Sequence, residues 1–234
     1  MAALDGIVGD DTLIVFDLDN TLIEPVQTLG SDQWYYHLVS ALRATGRDER
    51  AAHTEANNIW NRVQLSTEVR PVESDTPERV RALQARGLRV MALTARSEDV
   101  SGPTERQLRS VGYQLSTAAF GVNQVVLDAA ARAIYRGGIL YVGEHASKGE
   151  ALLAFLDLQA YRARHVVFVD DKEKHARSVD AALTARGIPV VSVRYGAADA
   201  RVKAFDPRVA DLQYRAWSRL LSDAEALELL GDPR

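Results

Sequence analysis

The chain has 234 residues, a formal net charge of −4, 47% hydrophobic and 26% charged residues, which is enough for one large domain or a core with an insertion. The mild acidity gives no electrostatic basis for a nucleic-acid partner. There is no cysteine, which excludes disulfides, thiolate catalysis and a Cys-based zinc site. No run reaches the roughly 18 apolar residues of a membrane span. Residues 1–11 show no basic region leading into an apolar core. A cytoplasmic protein with no membrane partner is therefore expected, with a processed export segment as the alternative.

The first predicted element is a strand over Thr12 to Phe16. It runs into Phe16-Asp17-Leu18-Asp19-Asn20-Thr21-Leu22, which presents two carboxylates and a hydroxyl at the strand's end. Ionised carboxylates at the edge of a core are costly unless a cation, hydrogen bonds or a proton compensates them. The pair Asp17 and Asp19 therefore asks for a divalent metal, a shared proton, or both.

Glu24 to Asp75 is too long for a simple loop. Two helical patterns, about Gln33 to Thr45 and Asp48 to Ser66, mark it as a helical cap over the strand ends. A helix over Pro77 to Arg86 then leads into a strand at Leu88 to Leu93, and a helix over Pro103 to Val111 follows. Gly137-Gly138 sits between two apolar runs and signals a hairpin over about 133–142. Beyond it come a helix at Lys148 to Leu158, a strand at His165 to Val169, a helix at Lys172 to Arg186 and a strand at Pro189 to Val193. The segment Asp206 to Leu230 is helical in pattern, with Leu212, Trp217, Leu220, Leu221, Leu227 and Leu230 available for docking.

Strands rich in Val, Ile and Leu with little alternation are buried on both faces. Their alternation with helices predicts an α/β fold with a doubly wound, mostly parallel sheet. The expected division is a core of 1–23 and 76–234, with a cap of 24–75.

In such a sheet ligands bind beyond the carboxyl ends of the strands. That rule gathers Asp17 and Asp19, Thr94-Ala95-Arg96, Asp170-Asp171 and the helix-starting Lys148 into one place. Read from the residues, Asp17 is the nucleophile candidate. Asp19 is placed to protonate a leaving oxygen and then activate water. Thr94 alone also reads as a strand end or helix cap, and Lys148 as a solvated first-turn lysine. Arg96 either binds substrate or solvates a loop. The histidines at 37, 53, 145, 165 and 175 have no metal-ligand spacing. His145 is the one expected near the site, most simply as a loop residue.

In order, Asp17-Leu18-Asp19-Asn20-Thr21, Thr94, Lys148 and Asp170-Asp171 match the four motifs of the haloacid dehalogenase superfamily of phosphohydrolases. The chain resembles that superfamily over about residues 12–195. Leu29-Gly30-Ser31-Asp32-Gln33-Trp34 is similar to a bacterial branch without an assigned substrate. The resemblance implies Mg²⁺ held by the carboxylates of Asp17 and Asp170 and the backbone carbonyl of Asp19. It implies phosphoryl oxygens bound by Thr94, Ala95 and Lys148, with Arg96 and Asn20 as further candidates. Asp171 and Thr21 take supporting roles, Asp171 orienting the metal shell or Lys148.

Asp32, Gln33 and Trp34 open the cap and are its specificity candidates, Trp34 reading as cap core ahead of a substrate platform. The expected reaction is Mg²⁺-dependent hydrolysis of a small phosphomonoester through an aspartyl-phosphate, with a small phosphorylated metabolite as partner. Asp19 favours phosphatase over dehalogenase chemistry. A phosphotransferase or mutase, and a non-catalytic phospho-ligand binding module, are the alternatives. Monomer and homodimer stay open.

Overall fold

A computed structural model describes residues 6–9, 11–117, 120, 124–128, 133–143 and 146–217. In chain order these form β1 (Thr12–Phe16), β2 (Ile23–Pro25), α1 (Asp32–Ala44), α2 (Glu49–Gln64) and β3 (Val69–Pro71). Next come α3 (Thr76–Ala85), β4 (Arg89–Thr94), α4 (Ser101–Ser110), β5 (Val125–Asp128), β6 (Ala133–Arg136) and β7 (Ile139–Tyr141). The chain continues through α5 (Lys148–Leu158), β8 (His165–Asp170), α6 (Glu173–Ala185), β9 (Val190–Arg194), α7 (Asp199–Lys203) and α8 (Pro207–Trp217).

Seven strands form one sheet in the order β5-β6-β7-β4-β1-β8-β9. β1 lies between β4 and β8, parallel to both, and among the described residues of this sheet only the pairings of β6 with β5 and β7 are antiparallel. The fold is the expected mostly parallel, Rossmann-like α/β sheet with helices on its faces. The alternation of side chains along each strand divides the core in two. Ile14, Phe16, Val90, Ala92, Val167 and Val169 pack on one side with Val80, Leu83 and Leu108 from α3 and α4. Leu13, Val15, Met91, Leu93, Val166 and Phe168 pack on the other with Leu152, Phe155, Val179 and Leu183 from α5 and α6.

Register places the chemistry. Phe16 pairs with Val169, so the next residues along each strand, Asp17 and Asp170, emerge side by side. Asn20 then takes φ +59, a conformation Asn tolerates better than most residues. The turn closes on Leu18, whose carbonyl accepts from the N–H groups of Thr21, Leu22 and Ile23.

The helices at 24–75 form where the sequence predicts, α1 capped by Ser31 and α2 by Asp48. They share an apolar cluster of Leu29, Trp34, Val39, Ala56, Trp60 and Val63, joined by Ala210 from α8. In the chain, β2 precedes the pair and β3 follows it, and the two strands form a short antiparallel ribbon. That ribbon and β5 have no counterpart in the sequence reading. The helix expected from Asp206 begins as α8 at Pro207 and is described to Trp217, and α7 before it has no counterpart in the sequence reading. Leu220, Leu221, Leu227, Leu230 and His145 lie outside the described residues.

Candidate active site

Asp17 follows β1, Asp170 ends β8, and Asp171 comes next. Their carboxylate oxygens lie within 4.8 Å of one another, and this is the one such acidic group among the described residues. Lys148, the first residue of α5, places Nζ 2.5 Å from Asp17 Oδ1 and 2.7 Å from Asp170 Oδ2, its side chain fully buried. Ser147 caps α5 by accepting from the N–H of Glu150. Gly149 lets α5 approach α6 closely: a Cβ there would fall 2.3 Å from the Ser178 carbonyl oxygen. That approach carries Lys148 into the carboxylates.

Around this centre the hydrogen bonds are specific. Thr21 Oγ1 donates to Asp17 Oδ2 and accepts from the Asp171 N–H at 3.0 Å. Asn20 Nδ2 donates to Asp171 Oδ2, and its Oδ1 accepts from Gln33 Nε2. Asn20 therefore orders Asp171 and the turn. Thr94 Oγ1 accepts from the Arg96 N–H at 3.1 Å, and both Thr94 and Ala95 line the cavity above Asp17.

Burial pushes the Asp17 carboxyl well above the usual range, reinforced by Asp170 and Asp171 and opposed by Lys148. Asp170 is buried too, yet Lys148 and His175 hold it well below that range. Asp171 is pushed up to about 7 by burial and by Asp32 and Asp170, with Lys172 opposing. Lys148 is held charged by Asp17 and Asp170 against the effect of burial. One lysine thus faces three crowded carboxylates, two of which resist ionisation. The donor set is all oxygen, short of positive charge, and fits a hard divalent cation. In that fit Asp17, Asp170 and Asp171 are the available carboxylates.

Two expectations change. Arg96 neither solvates its loop nor is free to meet a phosphate. Its guanidinium is buried, and Nε and Nη2 donate to Asp19 Oδ2 and Oδ1 at 2.8 and 2.7 Å. Burial alone would raise the Asp19 carboxyl, but Arg96 holds it below the usual range. Trp34, in line with its cap-core reading, is fully buried in the cluster between α1 and α2 and does not line the cavity. Asp171 meets Asn20 and the Thr21 hydroxyl, and no hydrogen bond or ion pair joins it to Lys148.

Four residues were missed. His175 stands in the first turn of α6 with Nδ1 3.3 Å from Asp170 Oδ2, in ion-pair range but out of line for a hydrogen bond. Its place on the helix after Asp170-Asp171 was the available signal. Lys172 Nζ donates to Asp32 Oδ1 and Tyr36 Oη, each at 3.0 Å, pinning α1 to the end of β8. Asp32 is thereby paired, and Gln33 is engaged with Asn20. Asn57 and Asn61 of α2 line the cavity, on one helical face that only docking reveals.

Among solved structures, the class C acid phosphatase from Bacillus anthracis aligns with a TM-score of 0.39 at 16% identity, covering 95% of this chain and 85% of that one. Three chlamydial relatives are named "Putative outer membrane protein". That of Chlamydia trachomatis serovar D is 24% identical over 221 residues, 94% of this chain and 82% of the relative. That of Chlamydia pneumoniae is 24% identical over 217 residues, covering 93% and 81%. That of Chlamydia muridarum is 23% identical over 217 residues, with the same coverage. Those names overturn the expectation of a cytoplasmic protein. Among the described residues, no helix is long and apolar enough to cross a membrane. A family model described as "Protein of unknown function (DUF2608)" matches residues 3–227, and the chain belongs to that family.

Proposed function

We propose that the chain is a Mg²⁺-dependent phosphomonoesterase in which Asp17 attacks phosphorus. The observation that carries this reading is the cluster of Asp17, Asp170 and Asp171 around the ends of β1 and β8, with Lys148 between two of them. The match of Asp17–Thr21, Thr94, Lys148 and Asp170-Asp171 to the haloacid dehalogenase motifs supports it. So does the all-oxygen donor set.

Asp17 and Asp170, with the backbone carbonyl of Asp19, would hold the ion. When bound, Mg²⁺ supplies positive charge against the phosphate oxygens and the carboxylates. Thr21 and Lys148 fix the Asp17 carboxylate. The new bond joins an Asp17 oxygen to phosphorus as the bond to the leaving oxygen breaks, and that oxygen takes up a proton. Water then attacks the aspartyl-phosphate, its proton passing to a base, and inorganic phosphate departs from the regenerated Asp17.

Asp19, held ionised by Arg96, is prepared for the base step. The acid step requires Asp19 to carry a proton, which means loosening the Arg96 pair as substrate enters. Residues 24–75 act as the cap, with Lys172, Asp32 and Tyr36 as its fastening. The relatives' names favour a place of action in the cell envelope.

The test is hydrolysis of p-nitrophenyl phosphate by the full chain with Mg²⁺, with EDTA and with Asp17→Asn. Hydrolysis is expected only in the first case, and activity that persists in either other case overturns the mechanism. Release of p-nitrophenol without free phosphate, in the presence of an added alcohol, would indicate a phosphotransferase.

A further inference from the structure

The cavity over the carboxylates has an upper half that the phosphoryl chemistry leaves unused. Its floor is Asp17, Asp19 and Thr94, and its roof is Tyr35 from α1 with Asn57, Trp60 and Asn61 from α2. The last three stand at i, i+3 and i+4, so they share one helical face.

Charge at the rim is already cancelled in pairs. Arg96 holds Asp19, and Lys172 holds Asp32. A leaving group with its own charge would have to break one of these pairs to gain a partner. The aromatic residues have also committed their polar atoms. Trp60 Nε1 donates to the Ser31 carbonyl at 3.1 Å, and Arg96 covers its ring at 5.1 Å. Tyr35 Oη meets His53 Nδ1 at 2.8 Å. Both therefore offer the cavity mainly apolar wall.

Asn57 and Asn61 differ. Both are half-buried, and among the described residues neither side chain makes a hydrogen bond. An amide carries donors and an acceptor, matching a hydroxyl, which is both. The cavity is narrow. A slim leaving group fits better than a nucleoside or a peptide.

We propose that Asn57 and Asn61 read the hydroxyls of a short neutral polyol, making the substrate the phosphate monoester of a small polyol or sugar. This substrate class rests on the phosphatase reading of the carboxylate end. The two amides supply the selectivity, and Tyr35 and Trp60 pack against the carbon chain.

Two measurements on the full chain test this. With Mg²⁺, rates are compared for glycerol 3-phosphate, ribose 5-phosphate, phosphoserine, AMP and p-nitrophenyl phosphate, in the natural protein and in Asn57→Ala/Asn61→Ala. The polyol and sugar phosphates are expected to lead phosphoserine and AMP in kcat/KM. The variant is expected to lower the ratio of polyol to aryl kcat/KM about tenfold, mainly through KM, as loss of one or two hydrogen bonds predicts. An unchanged ratio, or a preference for phosphoserine or AMP, overturns the proposal.

Calorimetric binding of glycerol 3-phosphate to Asp17→Asn, with and without the two alanines, reads the subsite without turnover. Binding that weakens with the alanines supports it, whereas binding that is absent or insensitive to them overturns it. If p-nitrophenyl phosphate is not hydrolysed but this binding is seen, the phosphatase reading falls and the polyol subsite stands. Thermal melting of Asn57→Ala/Asn61→Ala like the natural chain excludes loss of fold as the cause.

Discussion

Arg96 and Asp19 form a two-pronged ion pair, with Nε and Nη2 each within 2.8 Å of a carboxylate oxygen. The third nitrogen, Nη1, donates to Thr104 Oγ1 and Gln107 Oε1 at 3.0 and 2.7 Å. Gln107 Nε2 in turn donates to Gln64 Oε1 at the end of α2. The position of Asp19 is thus linked to the helical pair. Removing one partner of a buried pair leaves an uncompensated charge, so Arg96→Ala should lower unfolding free energy by about 3–5 kcal/mol. Arg96→Lys, which keeps charge but loses the fork, should cost less. Urea unfolding followed by tryptophan fluorescence measures both, and a cost under about 1 kcal/mol for Arg96→Ala would mean that Asp19 does not depend on this arginine.

A cation bound only by the native state raises stability with its concentration. At about a hundred times its dissociation constant the gain is about 2.7 kcal/mol. Thermal unfolding should therefore shift upward as Mg²⁺ is added to chelator-treated protein. Asp170→Asn should abolish the shift, because Asp170 is the cluster carboxylate most firmly ionised. A shift of equal size in that variant would place the ion elsewhere.

Without a divalent cation, the cluster should make stability depend on pH in a defined direction. Burial raises Asp17, and burial raises Asp171 to about 7 with Asp32 and Asp170 adding to it. A carboxyl with a raised folded-state pKa binds more proton in the native chain, so stability falls as pH rises from about 4 to about 7. Each such group contributes at most about 1.4 kcal/mol per pH unit. Asp19 and Asp170 have depressed values, so their contribution is present above about pH 4 and is lost only in more acidic solution. In EDTA, melting temperature should decline across the upper window, and Asp171→Asn should flatten that decline. A slope unchanged by the substitution would assign it to other groups.

What was legible beforehand depended on how locally each feature is encoded. β1 and β8 announce themselves as apolar runs ending in carboxylates, and the parallel fold makes Asp17 and Asp170 neighbours. Gly137-Gly138, both at positive φ, carries the hairpin turn by itself. By contrast, β2 and β3 are three residues each and both contain proline, so no alternation could develop. Arg96 could not be understood from Thr94-Ala95-Arg96. Its partners Asp19, Thr104, Gln107 and, through Gln107, Gln64 come from three separate segments. Trp34 was half legible: its burial follows from its apolar face, but its distance from the cavity follows from how α1 and α2 meet. Asn57 and Asn61 looked like any polar helical residues until docking turned their face inward.

The approach of α5 to α6 at Gly149 ties packing to chemistry most directly. A Cβ there would fall 2.3 Å from the Ser178 carbonyl oxygen and 2.8 Å from Ala182 Cβ. Backbone cannot yield as a flexible side chain can, so Gly149→Ala must push the helices apart. Overpacking of this kind costs about 1–3 kcal/mol. Because Lys148 is the preceding residue, the same displacement should draw its ammonium out from between Asp17 and Asp170. The cost in turnover should therefore exceed what the loss of stability explains. Gly102→Ala, at a helical glycine with nothing within 4 Å of the added Cβ, serves as the comparison and should be neutral or stabilising by up to about 1 kcal/mol. Urea unfolding and p-nitrophenyl phosphate hydrolysis, run on both variants below the melting transition, separate the two effects. If Gly149→Ala matches Gly102→Ala in both, contact between α5 and α6 does not position Lys148.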